Sequence, residues 1–213
     1  MASLYSTTLK RVFDFILTCF LLLLCLPTLL VIGVLTLLFM GKPVLFQQNR
    51  PGLHGEIYRL LKFRTMTNAV DKRGRILPDA QRLTRFGRFL RRTSLDELPQ
   101  LWNVVKGDMS LVGPRPLLAQ YLDRYTKEQA RRHNVRPGIT GWTQVNGRNN
   151  LSWEEKFEMD VWYVDHLSPA LDLKILFRTL AVVCMGQGIH QPGEATVEEF
   201  TGETKAKRLV EPS

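Results

Sequence analysis

Charged residues vanish from Phe15 to Gly41, "FILTCFLLLLCLPTLLVIGVLTLLFMG", and return on both sides of that run. An uninterrupted apolar stretch of this length is the pattern of a segment that meets lipid. A cleaved leader is disfavoured, because the run outlasts an ordinary leader core and no small-x-small cleavage site follows. Pro27 stands near its centre, where it removes a backbone hydrogen bond. A straight helix through the run would reach about 40 Å and could cross a bilayer with tilt. A hairpin bent at Pro27 would have arms of about 20 Å, too short for a hydrocarbon core of about 30 Å. Lys10 and Arg11 precede the run; Lys42 and Arg50 follow it. Basic flanks favour the cytoplasmic side, so a re-entrant helix–break–helix anchor over 1–41 satisfies both ends where a crossing helix satisfies one. Thr28 is a candidate partner for carbonyls freed at the bend, and Asp14 a candidate partner for Arg11.

Beyond the run, apolar spacing changes character and no second membrane segment or repeat follows, so 42–213 reads as one further domain. "VLFQQNRPGLHGEIYRLLKFRTMT" predicts two extended stretches joined by a turn at Arg50-Pro51-Gly52. "QRLTRFGRFLRRT" sets Leu83, Phe86, Phe89 and Leu90 at helical spacing among arginines, the composition of a helix lying on an anionic membrane surface. Helices are expected at Leu95–Val105 and Leu118–His133, with "VRPGITGWTQVNGRNN" largely loop. "LSWEEKFEMDVWYVDHLS" opens on a capping box, Ser152-x-x-Glu155, and "LDLKILFRTLAVVCM" is a further helix, core or interfacial. The tail after Gly186 looks irregular. The expected fold is α-rich α+β: a membrane anchor, interfacial amphipathic helices, and a small cytosolic catalytic domain with few short strands.

Net charge then narrows the partners. Lys and Arg exceed Asp and Glu, 29 to 20, which points to polyanions: anionic lipid, phosphorylated substrates or nucleic acid. No recognised nucleic-acid motif is present. Cys19, Cys25 and Cys184 all lie in apolar runs and suit packing better than a disulfide framework. The histidines lack zinc-ligand spacing.

Against this basic background, "RRTSLDELPQLW" places Asp96 beside Glu97. Ser94-x-x-Glu97 is itself a capping box, and Asp96 would favour the positive end of a helix dipole. The chemical reading is that one carboxylate holds a divalent ion bridging a diphosphate while its neighbour attacks phosphorus. Cationic candidates for the phosphates are Lys62 and Arg64 in "KFRTM", Arg91, and Arg115 in the rigid Gly-Pro-Arg-Pro frame. Arg136, Gln144, Asn146 and Arg148 belong to a second Gly-rich segment that matches neither a P-loop nor a dinucleotide fingerprint.

"KRVFDFIL", "QNRPGLHG", "KFRTMT", "SLDELPQLWNVVKGDMSLVGPRPLL" and "RPGITGWTQVNGRN", in this order behind an apolar anchor, closely resemble the small monotopic phosphoglycosyl transferases, a bacterial sugar transferase family. The resemblance runs from about Lys10 to Gly202 and is strongest to the minimal enzymes that use N,N'-diacetylbacillosamine or related amino-sugar nucleotides. It implies that Asp96 is the nucleophile carrying a covalent phosphosugar, and that Glu97 is its Mg²⁺-associated neighbour. Arg91, Arg115, Lys62 and Arg64 match basic positions near the phosphates, and Asp160 a further acidic one. Pro27 matches the proline that bends the membrane helix, although Leu26 stands where relatives often carry a small polar residue. The activity implied is transfer of a sugar 1-phosphate from a UDP-sugar to polyprenyl phosphate, on the cytoplasmic face of the bacterial inner membrane. Trp142 and Asn146–Asn150 are candidates for choosing the sugar. Competing readings are a membrane-anchored, non-enzymatic binder of anionic lipid or nucleic acid, and a phosphohydrolase working through an aspartyl-phosphate.

Overall fold

A computed structural model describes residues 5–147, 151–185 and 199–202. After a π-helical turn at Tyr5–Leu9, helix α1 spans Lys10–Met40. The expectation of two helices separated by a break is corrected here. Helical geometry continues through Pro27, with no interruption on either side of it. Proline removes one ladder bond and crowds the carbonyl four residues back. In so apolar a segment the remaining backbone groups have no solvent to bond instead, so the helix persists across the defect.

α1 is sided along its whole length. Lys10, Asp14, Thr18, Ile32, Thr36 and Met40 are buried, and their i, i+4 spacing marks one face. That face packs on the rest of the chain at both ends: Leu17, Leu21 and Leu22 join the main core, while Leu29 and Ile32 join a second cluster with Phe63 and Leu90. Phe20, Leu23, Leu24, Leu30, Val31, Val34 and Leu38 point away and are exposed.

Strands β1 (Leu45–Pro51) and β2 (Ile57–Phe63) form the antiparallel hairpin expected, in a register pairing Leu45 with Phe63 and Pro51 with Ile57. Short helix α2 (Asp79–Arg82) precedes α3 (Arg85–Thr93), whose start is capped by the Thr84 hydroxyl accepting from the Gly87 N–H. α3 buries Gly87 and Leu90 and leaves Phe89 exposed among Arg85, Arg88 and Arg92. Phe86 touches Phe39 at the end of α1, with ring centroids 5.4 Å apart, so the apolar side of α3 continues the exposed face of α1.

Helix α4 (Gln100–Lys106) lies against β2 through Asn103. Its amide accepts from the Leu61 N–H at 3.0 Å and donates to the Arg59 carbonyl at 2.8 Å, completing a strand edge that has no partner strand there. β3 (Ser110–Val112) and β4 (Gly138–Thr140) pair in parallel. The helix expected over Leu118–His133 is broken into a 3₁₀ segment at Ala119–Arg124, α5 (Lys127–Ala130) and a second 3₁₀ turn at Arg131–Asn134. Thr126 explains the break, because its hydroxyl caps α5 anew with Gln129 as the reciprocal partner. The segment expected to be loop holds β4 and α6 (Trp142–Asn146). α7 (Trp153–Asp165) starts at the predicted Ser152 capping box, and α8 (Pro169–Met185) follows. The core that joins them contains Leu60, Val104, Met109, Leu111, Tyr163 and Ile175. The tail expected to be irregular lies mostly outside the described residues; within it, Phe200 is buried among Tyr121, Tyr125, Trp153 and Phe157.

Candidate active site

The Asp–Glu pair owes its position to the end of α3. Ser94 leaves the helix in the left-handed region (φ 56°, ψ 16°), its N–H donating to the Arg91 carbonyl at 3.2 Å. The chain then makes one 3₁₀ turn, Leu95–Glu97, before α4. The capping box expected at Ser94-x-x-Glu97 is therefore absent. Ser94 makes no side-chain cap, and its left-handed backbone serves the C-terminus of α3 rather than the N-terminus of α4. Glu97 turns elsewhere: its Oε1 accepts from Arg115 Nη2 at 2.6 Å.

Close backbone contacts aim the cations. A Cβ on Gly87 would lie 1.9 Å from the Thr65 carbonyl oxygen, so only glycine lets α3 seat on the end of β2. Seated there, Arg91 donates from Nε to Thr65 Oγ1 at 3.0 Å. Lys62 arrives from β2 with its ammonium 5.1 Å from the Phe46 ring centroid. Arg115 is delivered by the loop after β3. A Cβ on Gly113 or Gly138 would come within 2.3 Å of backbone on the other, or of the neighbouring Arg136 carbonyl, so that loop is pressed directly against β4.

Asp96 is 7% exposed. Its pKa is raised to about 6, by burial first and by the Glu97 charge second, while Lys62, Arg91 and Arg115 pull the other way. Burial lowers the pKa of Lys62, against the pull of Asp96 and Glu97; Glu97 raises that of Arg115. Three cations thus face two carboxylates, and the surplus positive charge suits an incoming oxyanion.

The other predicted residues go to different places. Arg64 is buried, and its guanidinium donates to the carbonyls of Met40, Gly41 and Lys42. It caps the C-terminus of α1 with both terminal nitrogens, leaving only a buried Nε. Arg136 donates from Nε to the Gly107 carbonyl at 2.9 Å. Gln144 has both amide atoms buried without a partner. Asp160 pairs with buried Arg132 at 2.7 Å and accepts from Thr143 Oγ1 at 2.6 Å. Arg148, Asn149 and Asn150 lie outside the described residues. Arg132 was missed from sequence, where it is one arginine in a polar stretch; here its Nη2 donates to the Arg115 carbonyl at 2.7 Å and fixes the loop that carries Arg115.

Among the described residues no group of three or more His, Cys, Asp or Glu side chains converges as a metal cage. The carboxylate pair nevertheless fits Mg²⁺, which commonly takes one or two protein carboxylates and fills its remaining positions with water and substrate phosphate. The mutual repulsion that raises Asp96 is relieved by a cation placed between the two groups.

A buried Asp96, a half-buried Glu97 and convergent cations thus lie in a fold that also carries a long, largely exposed apolar helix. Comparison with known proteins gives the family. The family model described as bacterial sugar transferase matches residues 5–186, and the chain belongs to that family. It is 57% identical over 196 residues to the uncharacterised sugar transferase EpsL of Bacillus subtilis, covering 91% of this chain and 96% of that protein. It is 36% identical to the undecaprenyl-phosphate galactose phosphotransferase of Salmonella typhimurium, over 89% of this chain and 43% of the relative. It is 43% identical to the UDP-glucose:undecaprenyl-phosphate glucose-1-phosphate transferase of Xanthomonas campestris, over 76% and 35% respectively. The chain therefore spans nearly all of EpsL but less than half the length of the two relatives whose names state a substrate.

Proposed function

We propose that the protein transfers a sugar 1-phosphate from a UDP-sugar to undecaprenyl or a similar polyprenyl phosphate, through an ester on Asp96. The observation that carries this reading is a buried carboxylate, its pKa near 6, with Lys62, Arg91 and Arg115 gathered around it. At neutral pH Asp96 is ionised yet poorly solvated, which suits a nucleophile. A carboxylate oxygen bonds to the β-phosphorus while the bond from that phosphorus to the bridging oxygen breaks, and UMP leaves with the electron pair. An oxygen of polyprenyl phosphate then bonds to the same phosphorus, and the Asp96–phosphorus bond returns its pair to the carboxylate. The three cations offset the repulsion between carboxylate and diphosphate in both steps. Mg²⁺, held by Asp96 and Glu97, would add further neutralisation of the diphosphate.

The membrane reading rests on α1. Its two ends are tied to one domain, by Lys10 and Arg11 at the start and by the Arg64 clamp at the end. Carrying either set of buried charges through a hydrocarbon core is costly, so both ends of α1 belong to the cytoplasmic face of the inner membrane. Relatives named for galactose and glucose set the first sugars to test beside UDP-N,N'-diacetylbacillosamine, the amino sugar that the sequence favours.

The decisive experiment uses full-length protein in nanodiscs with a UDP-sugar labelled in the β-phosphate. Parent protein should become labelled and release UMP, and adding polyprenyl phosphate should discharge the label into lipid. Asp96→Asn should lose at least about a thousandfold in both signals, the scale of removing a nucleophile. Label retained in the variant sinks the assignment; discharge to water at the same rate without lipid makes the protein a hydrolase.

A further inference from the structure

The loop that carries Arg115 to Glu97 is flanked by Pro114 and Pro116, which have no N–H to give to a ladder. Carbonyls are therefore its handles. The Gly138 N–H donates to the Pro114 carbonyl at 3.0 Å, Arg50 Nη1 to that of Pro116 at 3.2 Å, and Arg132 Nη2 to that of Arg115 itself at 2.7 Å. Arg132 is 3% exposed. Its Nε and Nη2 both donate to Asp160 Oδ2, at 3.1 and 2.7 Å, while the other oxygen of Asp160 accepts from Thr143 Oγ1 at 2.6 Å. One guanidinium thus holds a buried carboxylate and the backbone of the Arg115 loop at once.

Aromatic rings flank that guanidinium. Its Cζ lies over the rings of Tyr125 and Phe157, 5.9 and 5.7 Å from their centroids, and its Nη1 donates to the Tyr125 hydroxyl at 3.4 Å. The two rings meet edge to face at 5.4 Å. Phe200 completes the group, stacking on Tyr125 at 5.9 Å and meeting Phe157 edge to face at 4.9 Å. It belongs to the tail segment, yet it is 3% exposed and its backbone is anchored. Its N–H donates to the Tyr121 hydroxyl at 3.2 Å, and Arg124 Nη1 donates both to its carbonyl and, at 3.0 Å, to Glu199 Oε1. Close-packed interiors transmit strain, because few voids exist to absorb a displacement. Removing the Phe200 ring gives Tyr125 and Phe157 room to turn, and the guanidinium beside them loses its walls.

We propose that Phe200 is a positioning residue for Arg115, acting through Tyr125, Phe157 and Arg132 on the carbonyl that fixes the Arg115 loop. It touches no reacting atom. The proposal rests on the sugar-phosphate transfer put forward above, in which Arg115 holds a phosphate beside Asp96, and adds that the tail segment sets where this cation stands. A cage that only stabilised the fold would lower the unfolding temperature and do nothing particular to Arg115. The route through Arg132 requires more: once Arg115 is gone, losing Phe200 has little left to take away. Changes that act through one shared partner are non-additive, whereas independent ones add.

The test follows Asp96 labelling from a UDP-sugar, and amide hydrogen exchange over residues 113–118, in full-length variants in nanodiscs at a temperature where each is folded. Phe200→Ala should label about tenfold more slowly, the scale of one lost hydrogen bond at the loop, and should exchange faster over 113–118. Phe200→Leu refills most of the cage and should stay within about twofold of the parent. Arg132→Lys keeps a positive charge opposite Asp160 but lacks the planar fork that reaches two acceptors. It should reproduce both effects of Phe200→Ala with the fold intact. In an Arg115→Ala background, neither change should slow labelling by more than about twofold further. Arg124→Gln frees the Phe200 carbonyl without opening a cavity, and takes the place of Phe200→Ala if that variant does not fold. Equal losses with and without Arg115 overturn the proposal, as does unchanged exchange over 113–118 in the folded variants. A parent that never labels removes the transferase reading instead, and the exchange rates still decide whether Phe200 positions the loop.

Discussion

Two clusters of buried charge sit in this small chain and are built on opposite terms. At the start of α1, Lys10 donates to Asp172 at 2.6 Å, Tyr163 and Tyr5 each donate to Asp172 at 2.7 Å, and Ser110 donates to Asp14 at 2.6 Å. Lys10, Asp14 and Asp172 are all 6% exposed or less, and each has protein partners in hand. Around Asp96 the accounting differs. Burial and the neighbouring Glu97 charge hold its carboxyl above its ordinary pKa, and burial holds Lys62 below its own. Both clusters are desolvated, but only the first is closed. Closure serves attachment: that cluster ties α1, α7, α8 and β3 together. On the proposed reaction the open one keeps its electrostatic deficit available for a substrate, and functional sites are where pKa values perturbed by burial and like charge tend to concentrate.

The sharpest way to break this contrast is to remove one charge from each cluster and measure both stability and labelling. Lys10→Met leaves two buried carboxylates without their cation. Breaking such a pair typically costs about 3–5 kcal/mol, so thermal unfolding in detergent should occur at a much lower temperature. Asp96→Asn takes away a carboxylate that burial already disfavours, so the melting temperature should stay level or rise while labelling disappears. If the two variants lose stability alike, the catalytic cluster is structural cement as well, and the distinction fails.

A smaller effect is expected from pH. A nucleophilic carboxylate must be ionised, and with a pKa of about 6 labelling should rise roughly tenfold between pH 5 and pH 7 in parent protein. Stability should move the other way for this group. A carboxyl whose folded pKa is raised holds its proton more tightly when folded, so its contribution is present below about pH 4 and is lost by about pH 6. Asp96→Asn should not show that loss. A labelling curve already flat at pH 5 would mean that the cations overcome burial, and Asp96 would belong with ordinary surface carboxylates.

How much of this could be read beforehand depends on whether a residue's partner is local. The β1–β2 hairpin and the Ser152 cap follow from residues a few positions apart, and each formed as its spacing required, whereas the break expected at Pro27 did not form. Asp96, Glu97, Lys62, Arg91 and Arg115 were found by motif, and the structure draws them together. Arg64 shows the limit. Its sequence context two residues from Lys62 suggests phosphate, and strand alternation would put both on one face, but β2 ends at Phe63 and the Arg64 side chain meets the end of α1 instead. Arg132 and the Lys10–Asp172 pair were invisible because their partners lie 28 and 162 positions away, and no periodicity connects such distances. The capping motif at Ser94 failed for a related reason. A local pattern was present, but the chain had already used that serine to end α3.

That last failure yields the smallest and most discriminating prediction. Among the described residues Ser94 and His54 are the non-glycine positions with positive φ, and Ser94 immediately precedes the catalytic turn. An L side chain in that conformation costs about 1–2 kcal/mol relative to the ordinary helical one, whereas glycine bears little of that penalty. Ser94→Gly should therefore raise stability by something under 1 kcal/mol, after the extra freedom of glycine in the unfolded chain is subtracted. Were the serine a true N-cap, the same change would instead lower stability by a few tenths, so the sign alone separates the two structures. Labelling of Asp96 should stay within about twofold, because the turn keeps its geometry and Glu97 keeps Arg115. A gain in stability with labelling intact would locate backbone strain on the open, catalytic cluster and show that the chemistry does not depend on it; a gain accompanied by lost labelling would mean that the strained turn itself holds Asp96 in line with phosphorus.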